Sequence, residues 1–135
     1  MVQADVSIRL ANKRILYRWI ESIVRSEKRE LGEVLVILCS DEYLLKMNEQ
    51  FLQHDYYTDI ITFDYGEGKM LSGELYISID RVRENAYTEG VEMLKELHRV
   101  IAHGVLHLCG YGDKTQKEKK EMRLKEDEKL RKLNL

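Results

Sequence analysis

Residues 34–39, Val-Leu-Val-Ile-Leu-Cys, form the longest uninterrupted apolar run in this chain of 135 residues. A run of this length without polar interruption is typical of a strand buried on both faces, which predicts a central strand of a sheet. The run is far too short to cross a membrane. No charged and then apolar leader stands at the N-terminus, so we expect a cytoplasmic protein with no membrane partner.

The composition is that of a folded protein. Hydrophobic residues make up 44% of the chain, charged residues make up 34%, and proline is absent. This apolar fraction is too high for a disordered chain, and the length suits one domain that spans residues 1–135. The two cysteines, Cys39 and Cys109, form no framework of spacings, so we expect reduced thiols.

The charge is distributed unevenly along the chain. The net charge is −2, but residues 1–113 carry 13 basic and 19 acidic side chains, whereas residues 114–135 carry 9 basic and 5 acidic ones. The small net charge argues against nucleic-acid binding over the whole surface. The basic tail fits either a contact with an anionic partner or a solvated charged helix.

Hydrophobic periodicity predicts the other elements outward from the central strand. Val6, Ile8 and Leu10 alternate with polar residues, which predicts a strand, and Asn12 is a candidate N-cap for a helix that ends near Lys28. The order β-α-β-α-β-β-α-α-α predicts an α+β structure around a mixed sheet of about four strands. The elements predicted after the central strand are a helix over Asp41–Phe51, strands over Ile60–Tyr65 and Gly73–Ile79, and helices over Arg81–Thr88, Val91–Cys109 and from a capping box at Thr115 to Arg131.

The first predicted helix has a basic face opposite its apolar face. At about 100° per residue, its arginines lie within about 60° of one another on the helical wheel. An amphipathic surface helix and a stripe that contacts phosphates both explain this spacing. The arginines are Arg14, Arg18, Arg25 and Arg29.

The chemically informative stretch is residues 103–113, His-Gly-Val-Leu-His-Leu-Cys-Gly-Tyr-Gly-Asp. His103 and His107 project from one helix face about one turn apart, a spacing that lets both imidazoles bind one metal ion. Gly110 can end the helix in a left-handed conformation, so that the chain turns back and Asp113 supplies a third ligand. Two imidazoles, a carboxylate and an open position are typical of a catalytic site, although spacing alone also allows coincidence.

Three residues near this stretch qualify the interpretation. Glu96 lies near the histidine face, either as a carboxylate that orients a ligand imidazole or as a surface charge. His98 points toward the apolar face and is expected to be packed there. Gly104 costs about 1 kcal/mol relative to alanine in a helix, which predicts close approach by another backbone or by substrate. Gly104 also stands where His-Glu-x-x-His peptidases carry their general base, which argues against that activity.

This stretch and two further segments resemble the YbeY family, bacterial single-domain metalloproteins regarded as rRNA-maturation endoribonucleases. Residues 103–111 resemble the family signature. Met47-Asn48 followed by residues 58–63, Thr-Asp-Ile-Ile-Thr-Phe, resembles a second family segment, and residues 73–78 resemble the family's Gly-Asp-Ile strand. The likeness covers residues 33 to 126.

The resemblance implies a zincin-like α+β fold and one Zn²⁺ per chain, with other divalent metals as options. It also implies a cytoplasmic, metal-dependent single-strand endoribonuclease whose partners are small-subunit rRNA and the small ribosomal subunit. The family's ligands carry over to His103 and His107, whereas Asp113 stands where the family normally has a third histidine. A carboxylate can replace that imidazole. Leu52 stands where the family often has an arginine.

The general base is not identified by the sequence. Asp59 and Glu74 are the weak catalytic candidates from the matching segments. Either a water or the ribose 2′-hydroxyl could attack the phosphate. The rival functions are a ribosome-assembly factor with a mainly structural metal and a metal-dependent hydrolase of another substrate. The RNA-contact candidates are Arg14, Arg18, Arg25 and Lys114.

Overall fold

The computed structural model describes residues 1–10 and 12–133, and the order of its strands and helices confirms the predicted one. Within those residues the chain forms four strands and five helices. Their bounds are β1 Val2–Gln3, α1 Lys13–Ser26, β2 Glu30–Cys39, α2 Asp41–Leu52, β3 Ile60–Asp64, β4 Met70–Ser78, α3 Ile79–Glu89, α4 Met93–Leu108 and α5 Gln116–Leu130.

The strands form one mixed sheet in the order β1-β2-β4-β3. Strand β2 runs parallel to β1 and β4, and β3 pairs antiparallel with the other side of β4. The apolar run of residues 34–39 therefore lies inside the sheet, as predicted. Leu75 of β4 lies in the middle of the sheet. It is paired with Val36 of β2 on one side and with Thr62 of β3 on the other.

The strand predicted over Val6 to Leu10 is wrong. The N-terminal strand is Val2–Gln3, which pairs with β2, and Ile8 lies outside the sheet. The amide side chain of Gln3 donates to the Ile8 carbonyl at 2.6 Å and accepts from the Ile8 N–H at 3.0 Å. A side chain thus satisfies the backbone groups that a neighbouring strand would have paired. The alternation itself was informative, because Val6, Ile8 and Leu10 pack against the core.

Helix α1 ends at Ser26, two residues before the predicted end, and Lys28 adopts a left-handed conformation with φ of 60°. Arg29 consequently leaves the basic face of the helix. Its guanidinium donates instead to backbone carbonyls, at 3.4 Å to Lys69 and at 3.2 Å to Cys109. Arg29 therefore links the end of α1 to the end of α4. The predicted basic stripe then contains only Arg14, Arg18 and Arg25.

The two faces of the sheet are buried by different helices. Alternate residues of β2 and β4 belong to a main core under α1, α3 and α4, whereas Cys39 and Ile61 belong to a smaller core with Leu44 of α2. This division follows from the two-residue period of a strand. None of the helices in the described ranges is long and apolar enough to span a membrane.

Gly104 lets α4 lie close against the sheet. A Cβ added at this glycine would stand 2.6 Å from Cδ1 of Ile60 on β3 and 3.1 Å from both methyl groups of Leu75 on β4. Close approach at Gly104 thus comes from side chains of the sheet, not from the other backbone that the sequence led us to expect. The same contact leaves no room for a glutamate at this position.

Helix α5 docks on α1 and α4 through polar residues. Lys129 is only 1% exposed, and its ammonium donates to Ser26 Oγ at 2.7 Å and to Glu27 Oε2 at 2.9 Å. The indole of Trp19 donates to the Lys129 carbonyl at 2.8 Å. Because these contacts satisfy the buried ammonium, α5 is held against the body of the protein rather than lying free in solvent.

We predict that Gly104→Ala destabilises the protein, although alanine is the better helix former by about 1 kcal/mol. The added methyl overpacks the contact with Ile60 and Leu75, at a cost of about 1–3 kcal/mol. Urea unfolding should show a lower midpoint. Ile60→Val removes the closest atom, so it should destabilise the Gly104→Ala protein less than it destabilises the original one. Equal effects of Ile60→Val in both backgrounds would contradict the packing explanation.

Candidate metal centre

The three residues predicted as ligands converge on one point. Nε2 of His103 and Nε2 of His107 each lie 3.2 Å from the same oxygen, Oδ2 of Asp113. One ligand atom from each residue lies within 4.8 Å of the others, which makes this a group that could hold a metal ion. A tetrahedral centre with bonds of about 2.0–2.1 Å separates its ligand atoms by about 3.3 Å, so these distances fit one.

Both imidazoles are oriented through their other nitrogen. Nδ1 of His107 lies 2.8 Å from the carbonyl oxygen of Tyr111, and because a carbonyl only accepts, this nitrogen carries the proton. Nδ1 of His103 lies 2.6 Å from Oε2 of Glu126, to which it donates. In each neutral ring Nε2 then presents its lone pair toward Asp113. Such hydrogen bonds are the usual support of metal-binding histidines.

The donor set fits a cation. Two Nε2 lone pairs and an anionic oxygen of Asp113 face one another, and three acceptors without a proton between them repel. A shared proton or a metal ion removes that repulsion. Burial by itself lowers the pKa of His103, but the hydrogen bond and charge of Glu126, aided by Asp113 and Asp59, raise that pKa above its ordinary value. The site therefore favours positive charge.

A helix-ending turn brings Asp113 back to the histidines. Gly110 has φ of 107°, and the Tyr111 N–H donates to the Leu106 carbonyl while the Gly110 N–H donates to the His107 carbonyl. This pair of bonds is the Schellman motif predicted for a glycine at a helix end. The motif fixes the Tyr111 carbonyl beneath His107 and sends the chain toward Asp113.

A partly buried hydrogen-bond chain anchors this turn to the rest of the fold. The Tyr111 hydroxyl donates to Oε1 of Glu27 at 2.7 Å, and Oε2 of the same carboxylate accepts from Lys129. Burial opposes ionisation of Glu27, yet the hydrogen bonds from Tyr111 and Lys129 bring its pKa below the ordinary value. The residue that orients His107 is thus fixed from both its backbone and its side chain.

We call His103, His107 and Asp113 the ligand group. Two of its members, His103 and Asp113, line a cleft of about 260 Å³. Asp59, a catalytic candidate from the sequence, lines this cleft together with His103 and Asp113. Burial is the main cause that raises the pKa of Asp59. Its carboxylate accepts a hydrogen bond from Asn85 at 3.4 Å. A carboxyl group with a raised pKa beside residues that could hold a metal ion is suited to proton transfer.

The structure does not bring the other catalytic candidate, Glu74, to this cleft. Leu75 faces Gly104 of α4, so the preceding residue points to the opposite face of the sheet. There the carboxylate of Glu74 accepts a hydrogen bond from Tyr65 at 3.1 Å. The sequence motif thus identified a strand next to the site, but the alternation of that strand excludes this side chain from it.

The structure brings Glu96 neither to a ligand imidazole nor to the surface, the two alternatives that the sequence left open. Glu96 lies seven residues before His103, which is about 10 Å along a helix. Among the described residues, the Nδ1 hydrogen bonds go to Glu126 and Tyr111, so neither ring has a nitrogen left for Glu96. Glu96 is nevertheless buried and lines the cleft, where desolvation is the main cause that raises its pKa.

The remaining histidines lie away from the ligand group. His98 is buried, as expected for the apolar face, and packs edge-on against Trp19 with ring centroids 6.1 Å apart. His54 stacks on Tyr56 at 5.0 Å in the loop after α2. The RNA-contact candidates are all exposed, on α1 and after the ligand turn: Arg14, Arg18, Arg25 and Lys114.

Sequence reasoning missed the supporting residues of the site. Glu126 follows His103 by 23 residues, and its other oxygen accepts from Arg99 at 3.0 Å. No local spacing connects Glu126 with the histidines. An indirect signal lay in the helical spacing of Met122, Glu126 and Lys129, which places them on one face of α5. The structure shows that this face is the buried one.

We predict that Glu126→Gln weakens metal binding by about 10–100-fold, because His103 loses the charged acceptor that orients its ring. Glu96→Gln is the matched control, since Glu96 lines the same cleft without bonding to a ligand. Competition with a zinc-binding dye measures both affinities, and circular dichroism checks that the helices remain. Equal weakening by the two substitutions would contradict the assigned role of Glu126.

Comparison with known proteins places this geometry in a family. The family model described as endoribonuclease YbeY matches residues 2–134. An endoribonuclease YbeY of Cytophaga hutchinsonii is 52% identical over 127 residues, which cover 93% of this chain and 89% of the relative. One of Bacteroides thetaiotaomicron is 52% identical over 118 residues, covering 87% and 86%.

A solved structure has a similar fold. The solution structure of a Thermotoga maritima protein matches with a TM-score of 0.65 at 30% sequence identity. The match covers 98% of this chain and 87% of the other. The family model and the relatives agree, and the chain belongs to the endoribonuclease YbeY family.

Proposed function

We propose that this protein is a metal-dependent endoribonuclease whose metal ligands are His103, His107 and Asp113. The observation that carries the proposal is the convergence of both Nε2 atoms on one oxygen of Asp113, at 3.2 Å each. Membership of a family whose relatives are named endoribonucleases supports RNA as the substrate. We further propose single-stranded small-subunit rRNA as the target and the cytoplasmic small ribosomal subunit as the partner.

Zinc is the proposed ion, with one per chain. Two imidazole nitrogens and a carboxylate oxygen are a donor set typical of catalytic zinc, and three protein ligands leave a fourth position for substrate or solvent. A divalent ion bound there would polarise a phosphoryl oxygen and activate an attacking hydroxyl group. The chain supplies the orientation, because Glu126 and the Tyr111 carbonyl fix the two rings.

Asp59 is the proposed proton-transfer residue. It lies in the same cleft as the ligands, and its raised pKa brings its protonation equilibrium closer to neutral pH. A carboxylate in this position can accept the proton of the attacking hydroxyl or return one to the leaving oxygen. Arg14, Arg18, Arg25 and Lys114 remain the proposed contacts to more distant phosphates.

A peptidase function is disfavoured by one specific contact. The position that carries the general base in His-Glu-x-x-His peptidases is occupied here by Gly104, against which Ile60 and Leu75 are packed. The rival in which a ribosome-assembly factor uses the metal only structurally differs from the proposal in a measurable way, because it requires no RNA cleavage.

We predict that the protein binds one Zn²⁺ and that Asp113→Ala weakens binding by more than about 100-fold, since a direct ligand contributes more than an outer hydrogen bond. Asp113→His should retain zinc because it supplies an imidazole instead. Asp55→Ala, which removes an exposed carboxylate of the loop after α2, is the control. Metal content after dialysis and calorimetric titration measure these differences. Unchanged zinc affinity in Asp113→Ala would exclude this ligand set.

We predict that zinc-loaded protein cleaves a single-stranded RNA and that Asp59→Asn lowers kcat by about 10²–10⁴-fold, the usual contribution of general acid–base catalysis. Zinc content should not change. Glu74→Gln should cleave at the original rate, because that carboxylate lies on the other face of the sheet. Gel analysis of end-labelled RNA measures the rates. Cleavage by the original protein that persists unchanged in His103→Ala would exclude the metal as catalyst.

A further inference from the structure

Two cations of α5 border the proposed active site. Lys119 and Arg123 line the same cleft as His103, Asp113 and Asp59. They are four residues apart, so they lie on one face of α5 with Cβ atoms about 5–6 Å from each other. Both side chains are exposed, so their charged groups remain available to a molecule that enters the cleft.

These two cations differ from the third one in the cleft. Arg99 donates to Glu126 at 3.0 Å and to Asp127 at 2.8 Å, so its charge already has partners within the fold. Within residues 1–10 and 12–133, the ion pairs found include neither Lys119 nor Arg123. Cations without an ion-pair partner, beside residues that could hold a metal ion, are suited to bind an anion that enters the cleft.

We propose that Lys119 and Arg123 each bind one of two successive phosphates of the RNA backbone beside the scissile bond. This inference rests on the proposed function and names the residues that would position the substrate. The planar guanidinium of Arg123 can hold a phosphate by two parallel hydrogen bonds, whereas Lys119 acts as a point charge. The pair would fix the strand so that the cleaved phosphodiester lies at the ligand group.

The same helix offers a matched control. Lys117 and Lys120 are also exposed, but neither lines the cleft. Lys117 lies about 160° from Lys119 on the wheel, and Lys120 lies about 100° away. Lys117→Gln/Lys120→Gln therefore changes the net charge of α5 by the same amount as Lys119→Gln/Arg123→Gln, without touching the proposed phosphate sites.

The binding test uses metal-free protein, so that no cleavage occurs. Fluorescence anisotropy with a labelled single-stranded RNA gives the Kd over a series of salt concentrations. For single strands, each neutralised phosphate contributes about 0.7 to the slope of log binding constant against log salt. Lys119→Gln/Arg123→Gln should lower the magnitude of this slope by about 1.4 and raise Kd by about 10-fold or more. Lys117→Gln/Lys120→Gln should change both values much less.

The cleavage test separates positioning from structure. Zinc-loaded Lys119→Gln/Arg123→Gln should show a higher KM with retained zinc affinity, and Arg123→Lys alone should recover part of the loss. If the original protein cleaves RNA while the two double variants bind it equally, the phosphate assignment is wrong and the proposed function stands. If the original protein neither binds nor cleaves RNA, both proposals are wrong.

Discussion

The hydrogen bond from His103 to Glu126 joins the chemistry of the site to the packing of the fold. Glu126 is 5% exposed, and its two oxygens accept from His103 on one side and from Arg99 on the other. A carboxylate buried to this degree is tolerated because both oxygens have charged or strongly polar partners. This contact between α5 and α4 is therefore also the one that orients the imidazole of His103.

The position of α4 depends on two glycines with different roles. Gly104 removes a Cβ that Ile60 would contact, so the helix lies close to the sheet. Helix α4 ends at Leu108, and Gly110 with φ of 107° then turns the chain so that it returns with Asp113. The first glycine sets the depth of the histidines relative to the cleft, and the second sets the direction of the third ligand. Rigid packing thus prearranges the ligand group.

Sequence periodicity predicted the order of elements because the apolar residues of the main core lie at strand or helix spacing. The ligand triad was also predictable, because it depends on one helix turn and one helix-ending glycine. The docking of α5 was not. Its buried residues include Glu126, whose partner His103 lies on α4, and Lys129, whose partner Ser26 lies on α1. Lys129 and Ser26 are 103 residues apart in the chain. Local patterns do not record such pairings. The N-terminal strand differs from the prediction for another reason, because the Gln3 side chain bonds the Ile8 backbone where a neighbouring strand would have paired.

Gly112 links the ligand turn to the start of α5. It directly precedes Asp113, which stands where the YbeY resemblance implies a histidine. A Cβ at Gly112 would collide with the carboxylate of Glu118, which forms the capping box with Thr115 at the start of α5. Any larger side chain at position 112 therefore requires the Glu118 carboxylate to move. The turn that carries Asp113 and the N-terminal cap of α5 are therefore coupled through the contact between Gly112 and Glu118.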